Sequence, residues 1–266
     1  MGEPRGAANV PHPVVLREVL AKTVLTRTGI GGYDYCVNPF VGCAHGCSYC
    51  YASFMKRFTG HREPWGAFVD VKVNAPAVLR RQLARARRGS VLLGTVTDPY
   101  QPAEKRYQVT RGCLEALAEA DFPVNVLTRS PLCLRDLDLF RRLGEVSVGL
   151  SITTDREEVR RWLEPHAPPI PSRMEALRAL RGAGVETYLF VGPLLPMDPA
   201  RLVEEVGDAA GEVLIDRLNY PDKVKSLYRR AGLERYLEDD YFERCAAALE
   251  EGFERKGIPV SVLFRS

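Results

Sequence analysis

Four cysteines, Cys36, Cys43, Cys47 and Cys50, fall within fifteen residues, while Cys113, Cys133 and Cys245 are scattered. Three of the four stand in the run Cys43-Ala44-His45-Gly46-Cys47-Ser48-Tyr49-Cys50, a C-x3-C-x2-C spacing. Thiols this close on one Gly-containing loop can point at a single centre. Thiolate is a soft ligand that suits an iron–sulfur cluster, zinc or Cu(I). A [4Fe–4S] cluster ordinarily takes four cysteines; with three, one iron is left open to an exogenous chelating ligand. A structural zinc needs a fourth ligand, His45 or Cys36. His45 lies between two of the cysteines and is badly placed to close the same tetrahedron. Cys36 sits in a strand-like pattern and reads as core, as do Cys113 and Cys133.

The rest of the chain must position that loop. Its 266 residues can bury a core large enough to need no disulfides. Seven cysteines, an odd number, do not make a fully paired framework. An apolar share of 45% with 27% charged residues excludes a disordered, collagen-like or coiled-coil chain. The net charge of +3 is too small to imply a polyanion partner by itself. Met1 to Pro13 carries no apolar signal core, and Gly6 stands where a myristoylation motif needs Ser or Thr. The uncharged run Tyr35–Met55 is long enough to span a bilayer but far too polar to do so. The expectation is a cytoplasmic protein with no membrane partner, whose reduced thiols favour metal over disulfide.

Short apolar runs alternate with amphipathic stretches. Strands are expected at Ser90–Thr97, Val124–Thr128, Val146–Thr153, Thr187–Gly192 and Glu212–Leu218, with one more near Cys36–Phe40. Helices are expected at Ala75–Arg88, Thr110–Glu119, Leu134–Leu143, Arg156–Leu163, Arg173–Ala183 and Pro199–Ala210. Such alternation means an α/β chain with a parallel sheet. Six units fit a curved partial barrel or an open doubly wound sheet. Residues 1–32 read as an extended N-terminal arm, 33–220 as the α/β body, and 221–266 as C-terminal helices with a final strand at Ile258–Phe264. Polar residues gather where strands end, at Thr97–Gln101, Arg129–Ser130, Ser151–Asp155, Gly192–Pro196 and Asn219–Tyr220, which is where parallel α/β folds carry their sites. The stretch 56–88 is locally basic. It reads as the solvated face of the first helix more than as a phosphate track, since only Phe58, Trp65 and Phe68 interleave it.

With Tyr49 before its last cysteine, the C-x3-C-x-aromatic-C motif resembles the signature of the radical S-adenosylmethionine (SAM) superfamily. The longer run Asn38–Ala52 resembles its spore photoproduct lyase-like, or DNA repair photolyase-like, branch. So do Thr97–Glu104, Thr128–Pro131, Arg135-Asp136, Ser151–Thr154 and Leu163–Pro165. The likeness runs from about residue 34 to 220. It implies a partial (β/α)6 TIM-like barrel in which Cys43, Cys47 and Cys50 ligate a [4Fe–4S] cluster and SAM chelates the open iron. An electron donor of flavodoxin or ferredoxin type then lets a 5′-deoxyadenosyl radical take hydrogen from an unidentified substrate, nucleic acid among the candidates.

Carried over by motif, Thr97 and Asp98 meet the methionine amino group of SAM. Arg129 meets its carboxylate, for which a guanidinium is a bidentate partner. Ser151 and Thr153 fall at the carboxylate or ribose. Gly192 and Pro193 leave room for the adenine, which Tyr49 contacts through its backbone. Tyr100, Gln101, Glu104 and Arg111 are expected to line the substrate mouth, whereas Arg173 reads as a surface residue. One departure matters: Thr95-Val96 stands where the lyase has a hydrogen-donating cysteine, just before the Thr/Ser-Asp pair. The likeness therefore does not license thymine-dimer repair. Two other functions compete, a zinc-stabilised nucleic-acid-binding module and an iron–sulfur electron carrier.

Overall fold

Strands buried on both faces and joined by helical crossovers must pair in parallel. In the computed structural model, which describes residues 13–265, they do. Strands β1 (Val15–Val19), β2 (Leu25–Arg27), β3 (Tyr35–Val37), β4 (Phe40–Val41) and β5 (Phe68–Lys72) precede β6 (Val91–Leu93) and β7 (Val124–Thr128). After them come β8 (Val146–Ser151), β9 (Glu186–Val191), β10 (Glu212–Ile215) and β11 (Val260–Val262). The main sheet has the order β11-β10-β9-β8-β7-β6-β3-β2. From β3 to β11 every neighbouring pair is parallel, and β2 closes the edge antiparallel to β3. The order ends on β2 and β11, so the barrel is partial.

The helices are α1 (Ala75–Leu83), α2 (Glu104–Tyr107), α3 (Val109–Glu119), α4 (Leu137–Phe140), α5 (Glu157–Leu163), α6 (Ile170–Gly182), α7 (Pro199–Val206), α8 (Lys225–Arg230) and α9 (Asp239–Glu254). Helix α1 stops five residues short of expectation, because Leu83 is the last residue of its buried face and Ala84–Arg88 are mostly exposed. A helix this short depends on packing. The expected Leu134–Leu143 helix is a 3-10 turn at Pro131–Asp136 followed by α4, with the Ser130 hydroxyl capping Leu132 N. The strand expected to reach Thr97 ends at Leu93, since Gly94 turns with a φ of +100°. A Cβ there would lie 2.6 Å from Pro99 Cδ and 2.9 Å from the Leu127 carbonyl, so only glycine fits.

Of the segment read as an arm, residues 1–12 lie outside the described residues; beyond them the chain supplies β1 and β2. A second sheet of order β1-β5-β4 was not expected. In it Val15 registers with Phe68, and Phe40 with Val71. Strand β5 hides in the basic stretch because its Asp70 breaks the apolar run, yet that carboxylate is buried against the His61 ring at 2.8 Å. Among the described residues no helix is long and apolar enough to cross a membrane.

Candidate active site

Beyond the C-terminal ends of the parallel strands lies a cavity of about 390 Å³. Cys43, Cys47 and Cys50 reach it from the loop after β4, with Thr97 and Asp98 after β6, and Arg129 after β7. Ser151 reaches it from the end of β8, Gly192 and Pro193 from beyond β9, and Asp216 from beyond β10.

The thiol loop is held from behind. Gly42 has a φ of +87°, and a Cβ there would sit 2.5 Å from the Phe68 carbonyl, so the loop lies flat on β5. The fully buried Gln101 accepts from Ala44 N at 2.9 Å and donates to the Gly42 carbonyl at 3.2 Å and to Thr97 Oγ1 at 3.0 Å. Thr97 in turn donates to the Gly42 carbonyl at 2.7 Å. Burial pushes all three thiols up, that of Cys47 to about 12. Asp98 and the Cys47 thiol add to the effect at Cys43, whereas at Cys47 the Arg129 guanidinium opposes it without overcoming burial. Among the described residues, no three His, Cys, Asp or Glu side chains are gathered into a group that could hold a metal ion. The three thiols share the cavity without forming such a group.

Asp98 is anchored on every side. Its Oδ1 accepts from Thr128 Oγ1 at 2.6 Å and Tyr100 N at 2.9 Å, and its Oδ2 accepts from Arg129 N at 2.8 Å. His45 Nε2 stands 3.2 Å from Oδ2. Burial opposes the ionised form, but the His45 ring and these donors outweigh it and hold the carboxyl at about 2. Ser151 is fully buried, and its hydroxyl has no partner among the described residues. An unsatisfied buried hydroxyl costs about 1–3 kcal/mol, which a polar group entering the cavity would offset.

A buried carboxylate that sequence reading left unassigned organises the wall. Glu164 accepts from Arg173 Nη2 at 2.5 Å, Thr153 Oγ1 at 2.9 Å and Arg129 Nε at 3.3 Å, and also from the Tyr49 hydroxyl. Burial would raise its pKa, but the two guanidiniums and the donated bonds win and hold it well below the usual carboxylate range. The Tyr49 side chain is thus a buried bridge, taking a further bond from Arg129 Nη2 at 3.1 Å. Thr153 stands behind the wall rather than on it. Arg173, expected at the surface, is fully buried and also donates to the carbonyls of Ser151 at 3.0 Å and Pro168 at 2.9 Å. The signal available in sequence was Leu163-Glu164-Pro165 followed nine residues later by an arginine at a helix start.

The expected substrate mouth requires correction. Tyr100, Gln101 and Glu104 are fully buried and Arg111 is turned away, so none of the four lines the cavity. Tyr100 donates to Asp136 at 3.0 Å; Glu104 accepts from Thr110 N, Arg111 N and Arg135. Arg111 pairs with Asp136 at 2.8 Å and Asp138 at 2.7 Å. Gln101 and Glu104 satisfy buried backbone donors, Ala44 N for the first and Thr110 N and Arg111 N for the second, while Tyr100 and Arg111 converge on the buried Asp136 carboxylate. Thr95 and Val96 do line the cavity, whereas Cys113 and Cys133 are fully buried away from it.

A sequence model of the radical SAM superfamily matches residues 37–210, which carry the thiol loop and the polar ends of β6, β7, β8 and β9. The chain belongs to the radical SAM superfamily. Its relatives include a protein of Methanocaldococcus jannaschii, 28% identical over 84% of this chain and 90% of its own. Another, from Mycobacterium tuberculosis, is 36% identical over 69% of this chain and 57% of its own, so the chain spans little more than half of that relative. A variant of spore photoproduct lyase with bound AdoMet and dinucleoside spore photoproduct superposes with a TM-score of 0.70. The match covers 98% of this chain and 86% of that one at 14% identity. The fold of this radical SAM enzyme is therefore the partial barrel of that lyase, and an iron–sulfur centre with SAM belongs to its chemistry.

Proposed function

We propose that the chain reductively cleaves SAM at a [4Fe–4S] cluster held by Cys43, Cys47 and Cys50, and so abstracts hydrogen from an unidentified substrate. What carries the reading is the convergence of three thiols, a guanidinium and an unpartnered hydroxyl on one cavity. When bound, the cluster and SAM supply one-electron cleavage of the sulfonium and a 5′-deoxyadenosyl radical.

The chain's own groups supply position and charge. Arg129 is fixed through Nε and Nη2 on Glu164 and Tyr49, which leaves Nη1, without a partner among the described residues, for the SAM carboxylate. Ser151 offers its hydroxyl to the same ligand. Thr97 and Asp98, tied to the loop and to β7, form the wall near the methionine amino group. Gly192 and Pro193 leave space for the adenine. A flavodoxin- or ferredoxin-type donor supplies the electron, and reduced thiols suit a cytoplasmic setting.

The reading is tested by anaerobic reconstitution, iron, sulfide and zinc analysis, and measurement of 5′-deoxyadenosine after reduction. Four irons per chain with SAM cleavage is the expected result. Stoichiometric zinc without iron would point to the zinc-stabilised nucleic-acid module, and a cluster without cleavage to an electron carrier.

Two expected outcomes follow from particular residues. Charge-assisted hydrogen bonds contribute about 1.5–3 kcal/mol, so Arg129→Ala should weaken SAM binding by roughly one to two orders of magnitude while iron content holds; calorimetric titration that finds unchanged affinity removes Arg129 from the site. The second concerns spore photoproduct. With Thr95 and Val96 on the cavity wall and Cys113 and Cys133 buried elsewhere, no S–H group beyond the three cluster thiols faces a product radical among the described residues. Incubation with spore photoproduct dinucleotide should yield 5′-deoxyadenosine with little or no thymidine dinucleotide. Efficient multiple-turnover reversal would contradict this.

A further inference from the structure

At the outer edge of the main sheet, beside the start of β3 rather than its end, an open groove of about 650 Å³ runs between β2 and the end of α1. Lys22, Arg27, Arg81, Arg85 and Arg87 line it, all are exposed, and no carboxylate does. None of the five has a carboxylate partner among the described residues. The contrast with their neighbours is sharp. Arg80 and Arg88, from the same stretch, are engaged on Glu119 and Glu145 at 2.7 Å each. Elsewhere Arg201, Arg244 and Arg255 pair with carboxylates four residues away. The fold has thus sorted a basic segment into paired cations outside the groove and unpaired ones along it.

We infer that this groove is a binding site for the phosphodiester backbone of a nucleic acid, separate from the radical SAM cavity. Four of the five cations are guanidiniums, whose fork of donors matches phosphate oxygens. Like charges set around a concave surface with no counter-charge favour an anion there. The groove is also held rigid. Gln82 accepts from Val24 N at 2.8 Å and Leu25 N at 3.0 Å and donates to the Leu25 carbonyl at 3.1 Å, which locks β2 to α1. The Arg27 guanidinium lies over the Tyr35 ring, 5.5 Å from its centroid. A protein partner is the weaker match, because the groove's large apolar residues Leu25, Tyr35 and Val78 are all buried and only the small Ala84 and Ala86 reach its surface, which offers no anchor.

The test is fluorescence anisotropy on the reconstituted protein, with a labelled single-stranded DNA of about 20 nucleotides, its RNA and duplex counterparts, and inorganic tripolyphosphate as competitor, across a KCl series. The groove variant Arg81→Gln/Arg85→Gln/Arg87→Gln is compared with the control Arg201→Gln/Arg244→Gln/Arg255→Gln, which loses the same charge. Backbone binding releases counterions, about 0.7 per neutralised phosphate on a single strand. The groove variant should therefore lose about 2 from the slope of log affinity against log salt, and at least tenfold in affinity near 0.1 M salt. The control should stay within threefold of the parent, and SAM cleavage without nucleic acid should be unchanged in both. Equal losses in the two variants would reduce the effect to net charge and overturn the site. So would failure of the parent to bind any strand near 0.05 M salt, tripolyphosphate binding tighter than every strand, or an acidic electron-donor protein requiring these three arginines in place of the strand.

Discussion

Replacing any one of Cys43, Cys47 and Cys50 with alanine is expected to abolish the iron–sulfur centre and, with it, all 5′-deoxyadenosine formation. The three thiols are the only cysteines of the described residues on the cavity wall, so no neighbour can substitute. Cys36 lies in β3, with its sulfur 3.1 Å from Thr26 Oγ1. Cys113, Cys133 and Cys245 are buried elsewhere. Each variant should purify colourless under nitrogen, and Cys36→Ala should stay brown with a full iron complement. Because the loop is held by Gly42, Thr97 and Gln101 rather than by the thiols, the variants should keep the parent's far-ultraviolet circular dichroism. Full iron in any one of the three variants would remove that cysteine from the ligand set.

Arg173→Met is expected to have the largest effect on stability. It leaves Glu164 fully buried without its shortest ion-pair partner. Breaking a buried pair from one side typically costs about 3–5 kcal/mol, which for a chain of this size lowers the melting temperature by roughly 6–20 °C. Combined with Glu164→Gln, the loss should be much smaller than the sum, since the uncompensated charge is then gone. Glu164 also predicts a pH signature. Its carboxyl is held below its ordinary value, so the unfolded chain binds the proton first as pH falls. The stabilisation is fully present above the unfolded value, near 4.3, and is lost as pH drops toward the folded one. Urea midpoints measured between pH 3 and pH 5 should therefore fall less steeply with acid in Glu164→Gln than in the parent. A melting temperature for Arg173→Met within 2 °C of the parent would show that Glu164 does not depend on that arginine.

Much of the α/β body was legible from local pattern. The runs expected as strands at Val124–Thr128, Val146–Thr153 and Thr187–Gly192 are strands at Val124–Thr128, Val146–Ser151 and Glu186–Val191, because burial of a strand in a covered sheet writes itself as a nearly continuous apolar run. The final strand near 260 joins β10 in the same sheet. Misreadings arose where a contact distant in sequence decided the outcome. Strand β5 carries an aspartate that makes sense only with His61 stacked on Phe68 at 4.3 Å. Tyr100 and Gln101 sit in a polar loop and Glu104 and Arg111 at the starts of α2 and α3, positions that by composition face solvent. Instead Gln101 and Glu104 cap buried backbone N–H groups, and Tyr100 and Arg111 meet at Asp136, which is distant in sequence from both.

Spacing alone was enough to pick out three thiols on one loop, since so short a Gly-containing segment keeps them at one end of the fold, where all three line the same cavity. Alternation alone was enough for a parallel sheet with its polar residues at the strand ends. Only the tertiary structure decided that Tyr49 and Glu164, 115 residues apart, meet, that Arg173 lies buried beside them, and that Arg81, Arg85 and Arg87 join Lys22 and Arg27 around a groove without a carboxylate. Side chains brought together by folding leave no periodic trace in sequence, because their partners are chosen by the path of the chain between them and not by their neighbours along it.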